Sequence, residues 1–251
     1  MDRRQKPYKG GVDCLIISGM TTLMIATGNA HKVGEIRAIL GPRFACSSLK
    51  ELPNAPEVVE DAGTFAGNAT KKAVEMAKWS SGSQPALRMV SEREDIIFIL
   101  ADDSGLEVDA LGGAPGVHSA RFVALNTGQT AKSTTANNNA KLLRLMKDVP
   151  REKRTARFRC VLALTPVLRS RATDPSSVCF ADEFEIQTRI FEGICEGTIG
   201  FEPRGQGGFG YDPLFFPQGH NQTFAELSET VKNELSHRAK ALAKLRAALG
   251  G

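Results

Sequence analysis

An α/β protein built on a mixed β-sheet is what this 251-residue sequence predicts. Three observations carry the prediction. Short continuous apolar runs at Leu23–Thr27 and Ile96–Ala101 have the length and texture of buried strands. Between and after them lie segments whose apolar residues recur at helical spacing. The two kinds of segment interleave without a strict βαβ rhythm, and no repeat or linker divides the chain, so the sheet is expected to be mixed.

The elements follow in order. Leu23–Thr27 stops at Gly28-Asn29 and gives way to a helix with Val33, Ile36, Ile39 and Leu40 on one face; Pro42 stands just past its end. Leu49–Ala62 is a strand or an extended stretch, broken by Pro53 and Pro56, and ends in the acidic pair Glu60-Asp61. Thr64 is placed to cap a helix running to about Trp79, although Gly67 weakens it. Ser80–Pro85 reads as a loop continued by a charged insertion, Arg88–Asp95. The strand Ile96–Ala101 runs into Asp102-Asp103-Ser104-Gly105, and Gly112–Gly116 is a turn cluster. Residues 130–147 form a helix with Leu142, Leu143 and Met146 on its apolar face. Phe158–Leu164 is a strand ended by Pro166, Arg169–Ser177 a polar loop, and Phe184–Ile199 one or two strands. Gly205–Gly210 is glycine-rich, and Leu235–Leu249 is a basic amphipathic helix with Ala239, Leu242, Leu245 and Leu249 inward.

Composition narrows the function. With 41% hydrophobic and 24% charged residues the chain buries a core without staples. A net charge of +4 suits a protein that meets phosphates and is too weak for a nucleic-acid coat. Five cysteines without a C-x-x-C pair argue against disulfides or zinc and for a reducing, cytoplasmic setting. The four histidines form no H-x-x-x-H pair, so a metal here is expected on oxygen ligands, as magnesium or manganese. Residues 1–20 carry Arg3, Arg4, Lys6 and Lys9 before an apolar patch, Cys14–Ile17, too short to span a membrane. They are expected to be a disordered extension, or to precede a true start at Met20 or Met24, with the working domain over residues 21–251.

Five places hold residues suited to chemistry. At Thr27-Gly28-Asn29-Ala30-His31-Lys32 a strand turns into a helix, presenting backbone N–H groups with a side-chain donor and a full charge; this is either an anion site or an ordinary turn capped by Asn29. Asp102 and Asp103 follow a buried strand, where α/β sheets hold ligands, and point to opposite faces if the strand continues. Either a metal offsets their repulsion or they belong to a surface turn. Glu60 or Asp61 could complete a metal site with Asp103 while Lys71 or Lys72 meets phosphate; the alternative is a solvated helix start. Gly205-x-Gly207-x-x-Gly210 matches a dinucleotide fingerprint in letters only, because Pro213 follows where a helix should open. A flexible loop presenting Phe209, Tyr211 and Asp212 to a base is the better reading. Lys232 and Ser236-His237-Arg238 enter the last helix, as ligands or as an exposed basic face. No P-loop pattern occurs.

The order of these segments is more informative than any one of them. TGNAHKVGEI, GTFAGNATKKA, ADDSGLEVDALGGAPGVHSARF, FRCVLAL, GGFGYDPLFFP and KNELSHRAKAL, over roughly residues 23 to 249, strongly resemble the inosine triphosphate pyrophosphatase family. The resemblance implies an elongated mixed sheet flanked by helices, in two lobes around a central nucleotide cleft, and a homodimer using one Mg²⁺ per subunit. It implies hydrolysis of ITP, dITP and XTP to the monophosphate and pyrophosphate. Residue by residue, Thr27, Gly28, Asn29, Ala30, His31 and Lys32 would bind the triphosphate, Lys72 would meet phosphates, and Asp103 would be base and metal ligand. Asp61 stands where the family often has Glu, as a second metal ligand. Ser104 would lie beside the substrate, Phe209, Gly210, Tyr211 and Asp212 would hold base and sugar, and Lys232, His237 and Arg238 would contact the nucleotide, His237 and Arg238 near the 6-oxo group of the base. The N-terminal tail, the insertion near Ser80–Asp95 and the loop near Arg169–Asp182 depart from compact members. Competing readings are a pyrophosphatase for modified pyrimidine nucleotides, a non-catalytic nucleotide sensor and a nucleic-acid binder.

Overall fold

A computed structural model describes residues 21–48, 54–82, 97–124, 134–167 and 182–250. The extension 1–20, the charged insertion Arg88–Asp95 and the loop Arg169–Ser177 lie outside the described residues. Strand β1 (Thr21–Ala26) leads into α1 (Ala30–Leu40), followed by β2 (Phe44–Ser48), α2 (Phe65–Gly82) and the long β3 (Ile97–Val108). Then come α3 (Thr135–Leu145), β4 (Thr155–Pro166), a single helical turn α4 (Glu183–Ile186), β5 (Arg189–Ile199), β6 (Phe215–Pro217), α5 (Glu229–Leu235) and α6 (His237–Ala248). No helix among the described residues is long and apolar enough to cross a membrane.

The sheet has the order β2-β1-β3-β4-β5-β6. β1 runs parallel to β2 and β3, and the remaining pairs are antiparallel, so the mixed sheet expected from the sequence is present. β1 pairs with β3 only as far as Ala26 opposite Ala101. β3 goes on to Val108, paired with β4 as its one neighbouring strand and bridged at Glu107 to Pro115. The cleft opens where β1 leaves the sheet.

This corrects the boundary expected at Ala101. Asp102, Asp103, Ser104 and Gly105 are strand residues and form no surface turn. Because side chains alternate across a strand, the two aspartates face opposite sides of the sheet. On one side Leu23, Ile25, Leu100 and Leu162 pack under α1 and α6; on the other Met24, Ile99, Ala101 and Ala163 pack under α2. A third cluster, with Leu106, Val108, Phe158 and Phe215, fills the far end beneath α3.

Other boundaries shift for local reasons. The extended stretch expected from Leu49 is preceded by β2, which lies parallel to β1. Thr64 caps α2 as expected, its Oγ1 accepting from the Gly67 N–H at 3.0 Å. The helix passes Trp79 and ends at Gly82; Ser80 and Ser81 are buried in it, so tertiary packing overrides the loop-like composition. Phe184 opens no strand, because Asp182 caps a helical turn there. The last helix starts at His237, two residues later than expected, and a short helix, α5, precedes it: Ser236 takes an extended conformation, ends α5 and caps α6 through a bond from the Ala239 N–H.

Candidate active site

Beside the exposed end of β3 lies a cavity of about 770 Å³, the size of a site for a nucleotide-sized ligand. Thr27, Gly28, Asn29, His31 and Lys32 line it; Ala30 does not. Asn29 serves as N-cap of α1, its Oδ1 accepting from the His31 N–H at 3.0 Å. The turn thus fulfils its bland reading and still presents the positive end of a helix to the cavity.

Asp102 lies beneath that turn, fully buried. Its carboxylate accepts from Lys32 Nζ at 2.5 Å, Arg238 Nε at 2.8 Å, Ser104 Oγ at 2.9 Å and the Cys160 thiol at 3.4 Å. Burial opposes its ionisation, but Arg238 and Lys32 outweigh that and hold the carboxyl well below its ordinary range. Arg238 is 1% exposed and is committed on every side: it also binds Ser104 through Nη2 and Glu35 through Nη1. Glu35 accepts in turn from Lys232, which reaches Asp212 at 2.7 Å. The exposed basic helix allowed by the sequence is excluded, since Lys232 is 6% exposed and holds this chain of ion pairs.

Asp103 has a different environment. One bond, from Asn68 Nδ2 at 3.0 Å, reaches its carboxylate. Burial is the main influence and pushes its pKa up to about 6; Lys32, Asn68 and Lys72 offset this in part, and Glu60 adds to it. Glu60 lines the cavity and is paired with Lys72. Burial alone would raise the Glu60 carboxyl, but Lys72, with Lys32 and Arg121, keeps it below its ordinary value. Asp61 is not brought to Asp103: it is exposed and paired with Lys71 at 2.7 Å. The extended segment before α2 turns Glu60 inward and leaves Asp61 in solvent.

The wall opposite is formed by the glycine-rich loop. It opens no helix, as expected, but it is not loose. An added Cβ on Gly208 (φ +69°) would lie 2.2 Å from Asp212 Oδ2, so only glycine permits this approach. Asp212 accepts from the Phe209 N–H at 2.8 Å, and Asn139 donates to the Gly210 carbonyl at 3.2 Å. Tyr211 is buried and its hydroxyl donates to the Ser119 carbonyl at 2.9 Å. Phe209 stacks on His31 with centroids 5.4 Å apart, and Lys232 Nζ lies 4.9 Å from its ring. His237 stacks on Phe158 at 4.8 Å; its Nδ1 is buried with no partner among the described residues. Burial and the nearby Arg238 hold its pKa well below the usual value, so the imidazole is neutral.

Glu35, Asn68, Arg121, Asn139, Phe158 and Cys160 are the residues of this assembly that sequence reasoning passed over. A sequence profile of the Ham1 family matches residues 23–248. The chain belongs to the Ham1 family. A dITP/XTP pyrophosphatase from Desulforamulus reducens is 45% identical over 223 residues, covering 88% of this chain and 92% of the relative. Solved Ham1 structures agree: that of a HAM1 protein from Coxiella burnetii superposes with a TM-score of 0.69 at 32% identity, covering 92% of this chain and 99% of the other. The Staphylococcus aureus Ham1 protein gives 0.67 at 31% identity, with 92% and 99% covered. A Ham1 cleft therefore joins the Asp103 side, the Arg238 side and the glycine loop in one cavity.

Proposed function

We propose that this Ham1 protein hydrolyses deaminated purine nucleoside triphosphates, dITP, ITP and XTP, to the monophosphate and pyrophosphate. The observation that carries the reading is the single cavity. It joins a turn suited to phosphate, an under-solvated aspartate and an aromatic wall with a buried, unpartnered imidazole nitrogen. The relatives' activity accords with it.

Asp103 takes the role of base. Ionised at neutral pH yet basic enough to accept a proton, it orients a water for in-line attack on the α-phosphorus. The water's oxygen bonds to phosphorus, its proton passes to Asp103, and the bond to the bridging oxygen of the pyrophosphate breaks. Lys32, Lys72 and the N-terminus of α1 take up charge on the leaving group. Asp103 and Glu60 fit a divalent cation of the magnesium type. These two carboxylates lie on the same part of the cavity wall, and the described residues contain no three-residue His/Cys/Asp/Glu cluster of a dedicated cage. Such a pair suits an ion that keeps its waters and is held largely by substrate phosphate. Bound there, Mg²⁺ would supply charge neutralisation on the phosphates.

Base choice falls to the other end. His237 and Arg238, which open α6, line the cavity, and the first N–H groups of that helix with the ring of His237 would serve as donors for a 6-oxo oxygen. A 6-amino group would leave those donors unpaired, the kind of mismatch that discriminates most strongly. The reading carries with it a cytoplasmic homodimer, checked by sedimentation. Its central test is pyrophosphate release from dITP, ITP, XTP, GTP, ATP, dUTP and dTTP, with Mg²⁺ and with EDTA. Metal-dependent release confined to dITP, ITP and XTP is expected. Preference for a pyrimidine would move the substrate, and binding of ITP without turnover would leave a sensor.

A further inference from the structure

Five lysine and arginine side chains line the cavity, and four are already committed to carboxylates. Lys32 is paired with Asp102, Lys72 with Glu60, Lys232 with Glu35 and Asp212, and Arg238 with Asp102 and Glu35. Among the described residues Arg121 is the cavity-lining cation with no direct ion pair to a carboxylate; it acts on the Glu60 carboxylate only at longer range. Its one hydrogen bond runs from Nη2 to the main-chain carbonyl of Glu60 at 2.8 Å.

A guanidinium has five N–H donors in a planar fork that matches two oxygens of a phosphate. One N–H is spent on Glu60, so most of the fork is available. The side chain is also held in place. It leaves the end of the 3₁₀ segment Gly116–Arg121, which is pinned against β3: an added Cβ on Gly105 would lie 2.4 Å from Ser119 Oγ and 2.5 Å from the Gly116 carbonyl. From the other side Asn138 Nδ2 donates to the Ser119 and Ala120 carbonyls at 3.3 and 3.4 Å. The bond to Glu60 sets Arg121 beside the Glu60–Lys72 pair, at the Asp103 end of the cavity. An arginine that is fixed, makes no direct ion pair and lines the cavity has most of its donors free for an anion.

We propose that Arg121 is a further phosphate-binding residue, whose guanidinium receives the phosphates that leave as pyrophosphate. The inference rests on the polyphosphate reading of the cleft, and goes beyond it by assigning a cation that neither the resemblance nor the motif spacing assigned. Through its bond to the Glu60 carbonyl, Arg121 also couples the occupied anion site to the segment bearing the Glu60 carboxylate.

The test is calorimetric binding of inorganic pyrophosphate and inorganic tripolyphosphate to the full chain, wild type and variants, beside thermal melts. Arg121→Ala is expected to weaken both ligands about tenfold or more, the loss of a charge-assisted pair of bonds. Arg121→Gln separates anchoring from binding, since its amide can still donate to the Glu60 carbonyl but carries no charge. It should melt within a few degrees of wild type and bind tripolyphosphate as weakly as the alanine variant. Arg121→Lys should recover part of the affinity. If Arg121→Ala fails to fold, the glutamine variant decides alone. Wild-type affinity for tripolyphosphate in Arg121→Gln would overturn the proposal. If the wild-type chain cleaves none of the nucleotides but its tripolyphosphate binding still depends on Arg121, the substrate reading fails and this assignment stands.

Discussion

On the side of the sheet covered by α1 and α6, charge is arranged before any ligand arrives. Asp102, Arg238, Glu35, Lys232 and Asp212 are linked in one buried series, and Arg238 alone binds three other side chains. On the side covered by α2, Asp103 has one hydrogen bond and a pKa lifted to about 6. The two acids are consecutive on β3 and are separated by the pleat. The difference shows how a strand can divide its two faces: one spends its charges on holding α1, β3, α5 and α6 together, and the other leaves a carboxylate with a single hydrogen bond, open to the proton and cation of the proposed reaction.

The comparison breaks first at Asp103. Asp103→Asn should lower turnover by about 10³-fold, the usual scale for a lost general base, without weakening the fold. In EDTA it should raise stability at neutral pH, because a carboxyl lifted from 3.8 to about 6 costs the folded state about 3 kcal/mol when ionised. The sign follows from linkage. The protonated acid favours the folded state below the unfolded value, and that advantage is lost as pH rises through about 6. The gap in melting temperature between variant and parent should therefore close as pH falls from 7 to 4. A gap that is absent or reversed at pH 7 would place Asp103 in a better-solvated setting than the cavity offers.

Asp102→Asn should do the opposite. Removing one member of a buried ion pair costs about 3–5 kcal/mol, because Arg238 and Lys32 would lose their shared acceptor. Asp102 is held low, so its contribution is present at neutral pH and lost only as pH falls through its folded value. Urea denaturation reads the loss, and a variant as stable as the parent would show that the network is no scaffold. Smaller effects separate the neighbouring acids. Glu60→Gln is expected to raise the half-saturating Mg²⁺ concentration about tenfold. Asp61→Asn should shift it by less than about twofold, since an exposed pair such as Asp61–Lys71 contributes little. Equal effects in the two variants would restore Asp61 to the metal.

What the sequence revealed follows from how local each signal is. β1 and α1 are legible because an apolar run, a glycine, a capping asparagine and helical spacing all fall within twenty residues. The continuation of β3 is not, since Asp102-Asp103-Ser104-Gly105 has the composition of a turn. It is strand because β4 pairs along its whole length and because Arg238, Lys32 and Asn68 arrive from elsewhere to bond the acids. Glu35 could not be singled out: on α1 it reads as one more helix acid, and its partner Arg238 is 203 residues away. The choice between Glu60 and Asp61 turns on the rotation of an extended segment, which no periodicity records. The resemblance reached Lys232, His237 and Arg238, but their burial and their division between two helices came only with the structure.

Cys160 gives the scaffold a further property. Its sulfur lies against Asp102 with no exposed surface, and burial together with that carboxylate keeps the thiol's pKa well above normal. Peroxides, nitrosating agents and alkylators act on accessible thiolates, and this sulfur is neither accessible nor a thiolate. The thiol packed against the Asp102 ion-pair network is thereby kept in a form that such chemistry does not touch.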